Sequence, residues 1–240
     1  MGKQIARRIG PLTILAVEVL LSGCAGGKVG DLRMESQSVE LGGAESAQVE
    51  LHMGVGELKV SGGANKLLEA DFLYNVASWR PEVKYEVSGR QGRLSVKQPP
   101  QGVGPIGNTR NEWNLALNSQ LPIDLKIEAG VGKSNFELGD LALTRLDVQT
   151  GVGEATLDLI GDWKRDLDAN IRGGIGQVTL RLPSKVGVHV EAQKGIGNIQ
   201  VSGLKKEGNA YVNDAFRNSK VTLNFEIQAG IGEIRLELVD

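Results

Sequence analysis

Residues 125–132 of the chain read LKIEAGVG, an alternating apolar and polar run that ends in a Gly-Val-Gly triplet. Triplets of this kind, with Val or Ile between two glycines, occur six times beside such runs. The four copies that begin at Gly130, Gly151, Gly174 and Gly195 are 21, 23 and 21 residues apart. A fixed period of this size indicates a solenoid, in which each repeat is one coil that buries its apolar side against its neighbours. The six triplets are residues 54–56, 130–132, 151–153, 174–176, 195–197 and 230–232.

The runs on both sides of each triplet predict β-strands. Val178, Leu180 and Leu182, for example, alternate with Thr179 and Arg181. Alternation with period two places the apolar side chains on one face of the chain and the polar side chains on the other, as in a half-buried strand. Each repeat therefore predicts two strands that are joined by a triplet.

The triplet itself predicts a sharp corner, because glycine adopts positive φ without the steric penalty of a Cβ atom. We expect the corners at Gly174 and Gly195 to use positive φ, so that valine at either position would destabilise the fold. The β-branched residue between the glycines is expected to point inward and to stack on its equivalents in adjacent coils. The apolar ladder predicted for the core consists of Val131, Val152, Ile175 and Ile196.

These repeats predict an all-β domain over residues 46–240, a β-solenoid of Gly-Val/Ile-Gly coils. An antiparallel sandwich with regular hairpins is the competing interpretation, and the recurrence of whole strand–corner–strand units favours the solenoid. The pattern is looser at 64–120, where Gly89-Arg90-Gln91-Gly92 predicts a hairpin, and again at 204–219. Gly102-Val103-Gly104 is not a seventh repeat, because prolines flank it and no alternating run does.

Residues 1–23 predict an export signal, with a basic start followed by a short, mainly apolar run. The run is too short and too interrupted for a membrane span. It ends in Leu21-Ser22-Gly23-Cys24, which resembles the bacterial lipoprotein signal, in which the cysteine is lipidated. We therefore predict lipidation of Cys24 and a tether over residues 24–45, with an ordinary secretory signal as the alternative. By analogy with lipoprotein sorting, Ala25 favours the periplasmic side of the outer membrane in a cell that has one.

A family resemblance rests on the first regular coils. Residues 121–132 read LPIDLKIEAGVG, and they are followed by LGDLAL at 138–143 and LDVQTGVG at 146–153. This combination resembles the toastrack superfamily, which includes bacterial adhesin-like domains of unknown function and the extracytoplasmic part of membrane proteins of the cell-wall antibiotic response. The resemblance covers residues 45–240 and implies a single-stranded right-handed β-helix outside the cytoplasm, with roles in adhesion or envelope-stress sensing. It supplies no catalytic residues, and the predicted lipid anchor departs from the members that span the membrane several times.

Several segments resemble known ligand-binding motifs, but each lacks a residue that the motif requires. Gly130-Val131-Gly132-Lys133-Ser134 ends like a phosphate-binding loop, but Ile127 stands where a glycine is needed and no helix pattern follows. A calcium-binding β-roll repeat would need Asp in place of Val178. His52 and His189 are predicted at outward strand positions without a third ligand, which argues against a metal site.

The tryptophans and one acidic segment are interpreted as structural. Trp79, Trp113 and Trp163 are expected to pack in the core or to cap the array, with sugar stacking or partner docking as the alternative. Four acidic residues around Trp163 predict a solvated turn rather than a cation site or a glycosidase pair, because Lys164 and Arg165 are interspersed among them. They are Asp158, Asp162, Asp166 and Asp168.

The composition favours a binding protein over an enzyme. The chain has 33 glycines, 4% aromatic residues and a net charge of −2 without a basic patch, so nucleic-acid binding is not expected. A single cysteine excludes an intramolecular disulfide framework and a cysteine-based zinc site. We predict a lipid-anchored binding or scaffold module of the cell envelope, with no catalytic, cofactor-binding or metal-binding residues. A β-helix enzyme acting on envelope polysaccharide and a lipid-binding carrier are the alternatives.

The predicted binding surface is the outward side of the strands, together with the irregular stretches at 64–112 and 204–219, because irregular loops on a rigid array usually carry recognition. The expected partners are the membrane, through lipidated Cys24, and an envelope protein or a cell-wall glycan. The predicted outward residues include Thr179, Arg181, His189, Glu191, Gln200, Arg235 and Glu237.

Overall fold

The computed structural model describes residues 29–100 and 108–240. The predicted export signal, Cys24 and the Gly102-Val103-Gly104 segment lie outside these residues. The described chain forms thirteen strands and one short 3-10 helix, Ala77–Trp79. The strands are β1 (Val29–Val39), β2 (Ser46–Ala64), β3 (Leu68–Val76), β4 (Glu82–Ser88), β5 (Gln91–Lys97), β6 (Asn111–Asn118), β7 (Ile123–Glu137), β8 (Leu143–Asp158), β9 (Leu167–Pro183), β10 (Gly187–Ser202), β11 (Lys205–Glu207), β12 (Ala210–Val212) and β13 (Thr222–Val239).

Six long strands, each centred on a glycine triplet, stack in parallel and in register, and they confirm the predicted β-solenoid. Each strand has a first arm before its triplet and a second arm after it. The buried residues of both arms belong to one core cluster, so the first arms form one layer and the second arms form the other. We call the outer surfaces of these layers face one and face two. The six strands, in spatial order, are β2, β7, β8, β9, β13 and β10.

The alternation of buried residues changes parity at each triplet. In β7 the buried residues are Ile123, Leu125 and Ile127 before the triplet, at odd positions, and Ser134 and Phe136 after it, at even positions. A single straight strand cannot bury both sets on one side, since its side chains alternate strictly between the faces. The strand therefore has to turn at the triplet to bring both sets into the core.

This geometry corrects the predicted position of the apolar ladder. The ladder exists, because the middle residues of the six triplets pair in register across the stacked strands. It lies on the outside of the corner and not in the core, since these side chains are 43–72% exposed. The physical reason is the change of parity, which places the middle residue on the convex side of the turn. The ladder consists of Val55, Val131, Val152, Ile175, Ile231 and Ile196.

The two glycines of a triplet are needed for different reasons. The second glycine has positive φ, as in Gly153 with φ 138°, whereas Gly174 and Gly195, the first glycines of their triplets, do not. The expectation of positive φ at Gly174 and Gly195 is therefore wrong. Glycine is needed at position 174 because an added Cβ atom would collide with the carbonyl oxygen of Gly151 in the neighbouring coil. Gly153 meets both constraints, because an added Cβ atom would also collide with the carbonyl oxygen of Gly132.

The order of the last coils differs from the order along the chain. Strand β13 inserts between β9 and β10 and pairs in parallel with both. Ile231 is consequently the neighbour of Ile175 in the ladder, and Ile196 lies at its end. Between β10 and β13 the chain forms β11 and β12, and β12 pairs antiparallel with the first arm of β10 on the edge opposite β13.

Shorter strands extend both layers at the other end of the array. The hairpin of β4 and β5, which the sequence predicted at residues 89–92, is confirmed and pairs with the first arm of β2. Strands β6, β3 and β1 extend the layer of second arms. Residues 29–39, assigned to the tether from the sequence, form β1, because their backbone pairs antiparallel with β3.

The core between the layers is mainly aliphatic, and several of its large aromatic residues lie in the extensions formed by β3 and β6. Trp113 is fully buried, lies edge-on to Phe72 with ring centroids 5.4 Å apart, and donates its indole N–H to Asn111. Trp79 and Trp163 are also buried. The interpretation of the three tryptophans as core residues is therefore confirmed.

The two constraints on the glycine corner can be separated by mutation. Gly63→Ala introduces only backbone strain, because Gly63 has φ 98° and an added Cβ atom there meets nothing within 4 Å. We expect this variant to lower the free energy of unfolding by about 1 kcal/mol. Gly153→Ala adds a collision with the next coil, so we expect a loss of more than about 2 kcal/mol. Urea denaturation measures both losses, and equal losses in the two variants would show that close stacking is not a constraint.

Candidate functional site

The outward residues predicted from the sequence do not form one continuous face. His189 and Glu191 precede their triplet and lie on face one, whereas Gln200, Arg235 and Glu237 follow theirs and lie on face two. Thr179 and Arg181 also belong to face two, and Thr179 is buried there, where its hydroxyl accepts a hydrogen bond from Gln177. The corner therefore divides the predicted surface between face one and face two.

A groove of about 570 Å³ on face two crosses five strands. Its floor and walls come from β1, β3, β6, β2 and β7, so three of its five strands belong to extensions of the regular array. Small or polar side chains predominate in its lining. The polar residues that line the groove are Ser36, Gln37, Ser38, Lys59, Ser61, Glu69, Asp71, Asn114, Asn135 and Glu137.

The groove offers hydrogen bonds and an excess of negative charge. Its charged residues are the carboxylates of Glu69, Asp71 and Glu137 and the single ammonium of Lys59. No aromatic ring lines it among the described residues, so it has no platform for stacking against a sugar ring. This combination fits a polar, positively charged ligand better than a neutral glycan.

Strand β1 forms one wall of the groove and is held by a charged contact. Both carboxylate oxygens of Glu35 accept hydrogen bonds from Arg80, at 2.9 and 3.0 Å, and Gln37 and Tyr74 donate two more, at 2.7 and 3.2 Å. The hydrogen bonds from Arg80 are the main reason why the pKa of Glu35 is lowered from 4.5 to about 2. Partial burial of the carboxylate opposes this shift but does not outweigh it. The wall therefore depends on an ionised Glu35.

On face one, His52 lies between two carboxylates. Its Nδ1 atom is 2.9 Å from Glu128, and its Nε2 atom is 3.5 Å from Glu50. The pKa of Glu128 is lowered, chiefly by a hydrogen bond from Lys126. Burial opposes ionisation of Glu50, but the bonds from His52 and Lys97 outweigh it, and its pKa is also lowered. This network connects the two carboxylates with Lys97, Lys126 and the imidazole, and it leaves His52 half-buried rather than freely exposed.

The acidic segment around Trp163 has structural partners. Asp158 pairs with Arg181 and accepts the backbone N–H of Ile160. Asp166 accepts the backbone N–H of Thr222, and Asp168 accepts a hydrogen bond from Asn224. Asp162 pairs with Lys164. In the described part of the chain, no group of three or more His, Cys, Asp or Glu side chains is placed to hold a metal ion.

The stretch at 204–219, predicted as a specificity element, covers the end of face one. His189 stacks on Phe216 with ring centroids 5.2 Å apart, and the guanidinium group of Arg217 also lies over the Phe216 ring, 4.8 Å from its centre. Asn213 is buried and donates its side-chain amide to the carbonyl groups of Ser184 and Val186. A smaller groove of about 440 Å³ lies beside His189 on face one.

No helix within the described residues has the length and apolar character that a membrane span requires.

Comparison with known proteins places the fold in a family. The sequence matches the family described as "N-terminal domain of toast_rack, DUF2154" over residues 28–181. It also matches the family described as "Cell wall-active antibiotics response LiaF, C-terminal" over residues 128–236. A search of the curated proteins finds no significant match.

One solved structure is similar throughout its length. A "putative cell adhesion protein" from Clostridium sporogenes is 37% identical, with a TM-score of 0.85, and the alignment covers 87% of this chain and all of that one. A "putative adhesin" from Bacteroides fragilis is 11% identical over 86% of this chain and 97% of that one. Its TM-score of 0.22 is too low to carry an argument.

The contact between Glu35 and Arg80 predicts how the groove wall responds to acid. Because the pKa of Glu35 is about 2 in the folded chain and near 4.5 when unpaired, its ionised form stabilises the wall above pH 4.5, and this contribution is lost as the pH falls through 2. We expect Glu35→Gln to speed amide hydrogen exchange in β1 at neutral pH, because the ion pair with Arg80 is lost. Between pH 4.5 and pH 2, the protection of the β1 amides should change less with pH in this variant than in the original chain. Glu86→Gln, which changes an exposed carboxylate on β4 in the other layer, is the control. The same exchange profile in both variants would contradict the assignment.

Proposed function

The chain belongs to the toast-rack family, and we propose that it is an extracytoplasmic adhesion or envelope-stress module, held at the membrane by a lipid on Cys24. Two comparisons support the general role. The family that matches residues 128–236 is described by a response to cell wall-active antibiotics, and the 37% identical structure from Clostridium sporogenes is described as a cell adhesion protein. Neither description names an enzyme.

The lipid anchor is supported by the sequence that precedes the fold. A basic start and a short apolar run end at Gly23-Cys24, which is the arrangement of a lipoprotein signal. Only four residues separate Cys24 from the first residue of β1, Val29. A lipid on Cys24 would therefore hold the array close to the membrane surface, on the periplasmic side of the outer membrane in a cell that has one.

The groove on face two is the observation that carries the binding role. Its five strands are hydrogen-bonded into one sheet, so its side chains are displayed from a rigid surface and need little ordering when a ligand binds. The unequal charges, with Glu69, Asp71 and Glu137 against Lys59, favour a partner that carries positive charge. We propose a basic, extended segment of an envelope protein as this partner, and a cell-wall glycan is the other outcome of the test.

The test is photo-crosslinking in cells that express the full chain. A photoreactive residue replaces Lys59 in the groove or Gln149 on face one, both of which are exposed. We expect one dominant protein adduct from position 59 and none from position 149. The adduct should be lost when the groove is filled by Asn114→Trp and kept with Gln149→Trp, which adds the same ring to an exposed strand position on the other face.

The same experiment tests the anchor. Cys24→Ser should reduce the adduct strongly, because the chain is then no longer concentrated at the membrane. An unchanged adduct in this variant would contradict the anchor, and an adduct from position 149 that survives Asn114→Trp would move the binding site to face one. Recovery of glycan fragments in place of a protein would replace the proposed partner but keep the groove.

A further inference from the structure

The exposed ladder at the corner is a continuous apolar ridge. Six Val and Ile side chains follow one another on neighbouring strands, from Val55 on β2 to Ile196 on β10. Strands in a sheet lie about 4.8 Å apart, so the ridge extends for about 24 Å. Single exposed aliphatic residues are ordinary, but a contiguous row of this length marks an interaction surface.

The backbone beside the ridge is bare, because a glycine stands on each side of every ridge residue. The next positions on the face-one side are uncharged in five of the six strands, and Lys194 is the exception. On the face-two side, Lys133 pairs with Glu154 at 3.8 Å and Glu233 pairs with Arg235 at 3.0 Å. Glu57 adds a negative charge on the face-two side and Lys194 a positive charge on the face-one side, so charges of both signs flank the ridge in equal numbers.

The N-terminal end of the described fold lies at the same edge of the array as the ridge. Strand β6 runs parallel to the second arm of β2, and its first residue, Asn111, donates its side-chain amide to the carbonyl of Val55. Strand β3 is antiparallel to β6, and β1 is antiparallel to β3. Val29, the first residue of β1, is consequently at the corner end of its layer, paired with Val76. The exposed side chains of Val29 and Leu32 add apolar surface there.

We propose that the ridge lies on the lipid bilayer and fixes the orientation of the array on the membrane. This inference rests on the proposed lipid on Cys24. The chain between Cys24 and Val29 spans at most about 18 Å, so the anchored edge cannot move far from the bilayer surface. The edge that the tether brings there is the one that carries the ridge.

The tether also explains why a modest apolar surface is sufficient. A contact that is weak between free molecules becomes effective when a second attachment holds the two surfaces together. Aliphatic side chains that enter the boundary between headgroups and acyl chains bind through apolar contact, and the flanking charges are balanced, so anionic lipid is not required. A second copy of the chain would also cover the ridge, but nothing ties its position to the site of the anchor.

The orientation has a consequence for the groove. The second arms run away from the corner, and the turns at their far ends, such as Asp140 between β7 and β8, are exposed. With the ridge on the bilayer, the strands stand upright on the membrane. Face two and its groove then open sideways, parallel to the surface, where another envelope protein can reach them.

The test uses the full lipidated chain in phosphatidylcholine vesicles that contain a brominated lipid as a quencher. One cysteine is introduced on the ridge, as Val152→Cys, or at the far turn, as Asp140→Cys, and is labelled with bimane. Cys24 is the only natural cysteine and is blocked by its lipid, so each label reports a single position. We expect about three-fold or more quenching at position 152 relative to position 140, with little dependence on salt.

A second variant separates the ridge from the tether. Val131, Ile175 and Ile231 are exposed, so changing all three to Asn in the labelled Val152→Cys chain leaves the core intact. We expect the quenching at position 152 to fall to the level found at position 140. Equal quenching at positions 152 and 140 in the original chain, or no effect of the Asn variant, would overturn the inference. Contact between labels of two copies without lipid quenching would assign the ridge to a dimer and overturn it as well.

The anchor is read independently in the same samples. Mass spectrometry of the N-terminal peptide shows whether Cys24 carries lipid. A lipidated chain with equal quenching at the two positions refutes the orientation and leaves the proposed function standing. A chain whose Cys24 carries no lipid refutes the anchor, and with it the premise of the orientation.

Discussion

At each corner, the carbonyl oxygen of a glycine in one coil occupies the space that a Cβ atom of the next coil would need. Six strands turn together at this point, and they can do so only because two residues of each triplet have no side chain. The strand spacing of a β-sheet leaves no room to relieve such a collision without breaking the ladder on both sides. The register of all the coils, and so the position of every outward side chain, depends on this close approach.

The ridge and the groove both follow from the corner. Because the chain turns sharply, the buried residues change parity, and the middle residue of the triplet is driven to the convex side. Close stacking then aligns these residues into one row. Stacking also keeps both layers in register, so that the extensions formed by β6, β3 and β1 continue the layer of second arms and complete the groove. One steric constraint in the backbone thus creates both an apolar edge that runs along the stack of coils and a polar face beside it.

The sequence predicted the strands, the corners and the solenoid, because period-two alternation and a repeated glycine spacing are local signals. It misplaced the ladder, although the signal was present, since Leu125 and Ile127 are odd-numbered and Phe136 is even-numbered. The insertion of β13 between β9 and β10 could not be predicted, because pairing between distant strands leaves no mark in the alternation of either one. The groove was missed for the same reason. Lys59 and Asp71 come together only through the pairing of β2 with β6 and of β6 with β3.

The same pairing decides where the array can meet other molecules. A solenoid of identical coils would present the same surface along its whole length, and its two ends would be exposed edges that invite further strands. Here β12 covers the first arm of β10 at one end, and the extensions at the other end carry both the groove and the exit of the N-terminal chain. The regular coils therefore act as a spacer of fixed geometry. The groove and the exit of the N-terminal chain lie at the end of the array nearest the predicted anchor, where a membrane-bound partner would encounter them.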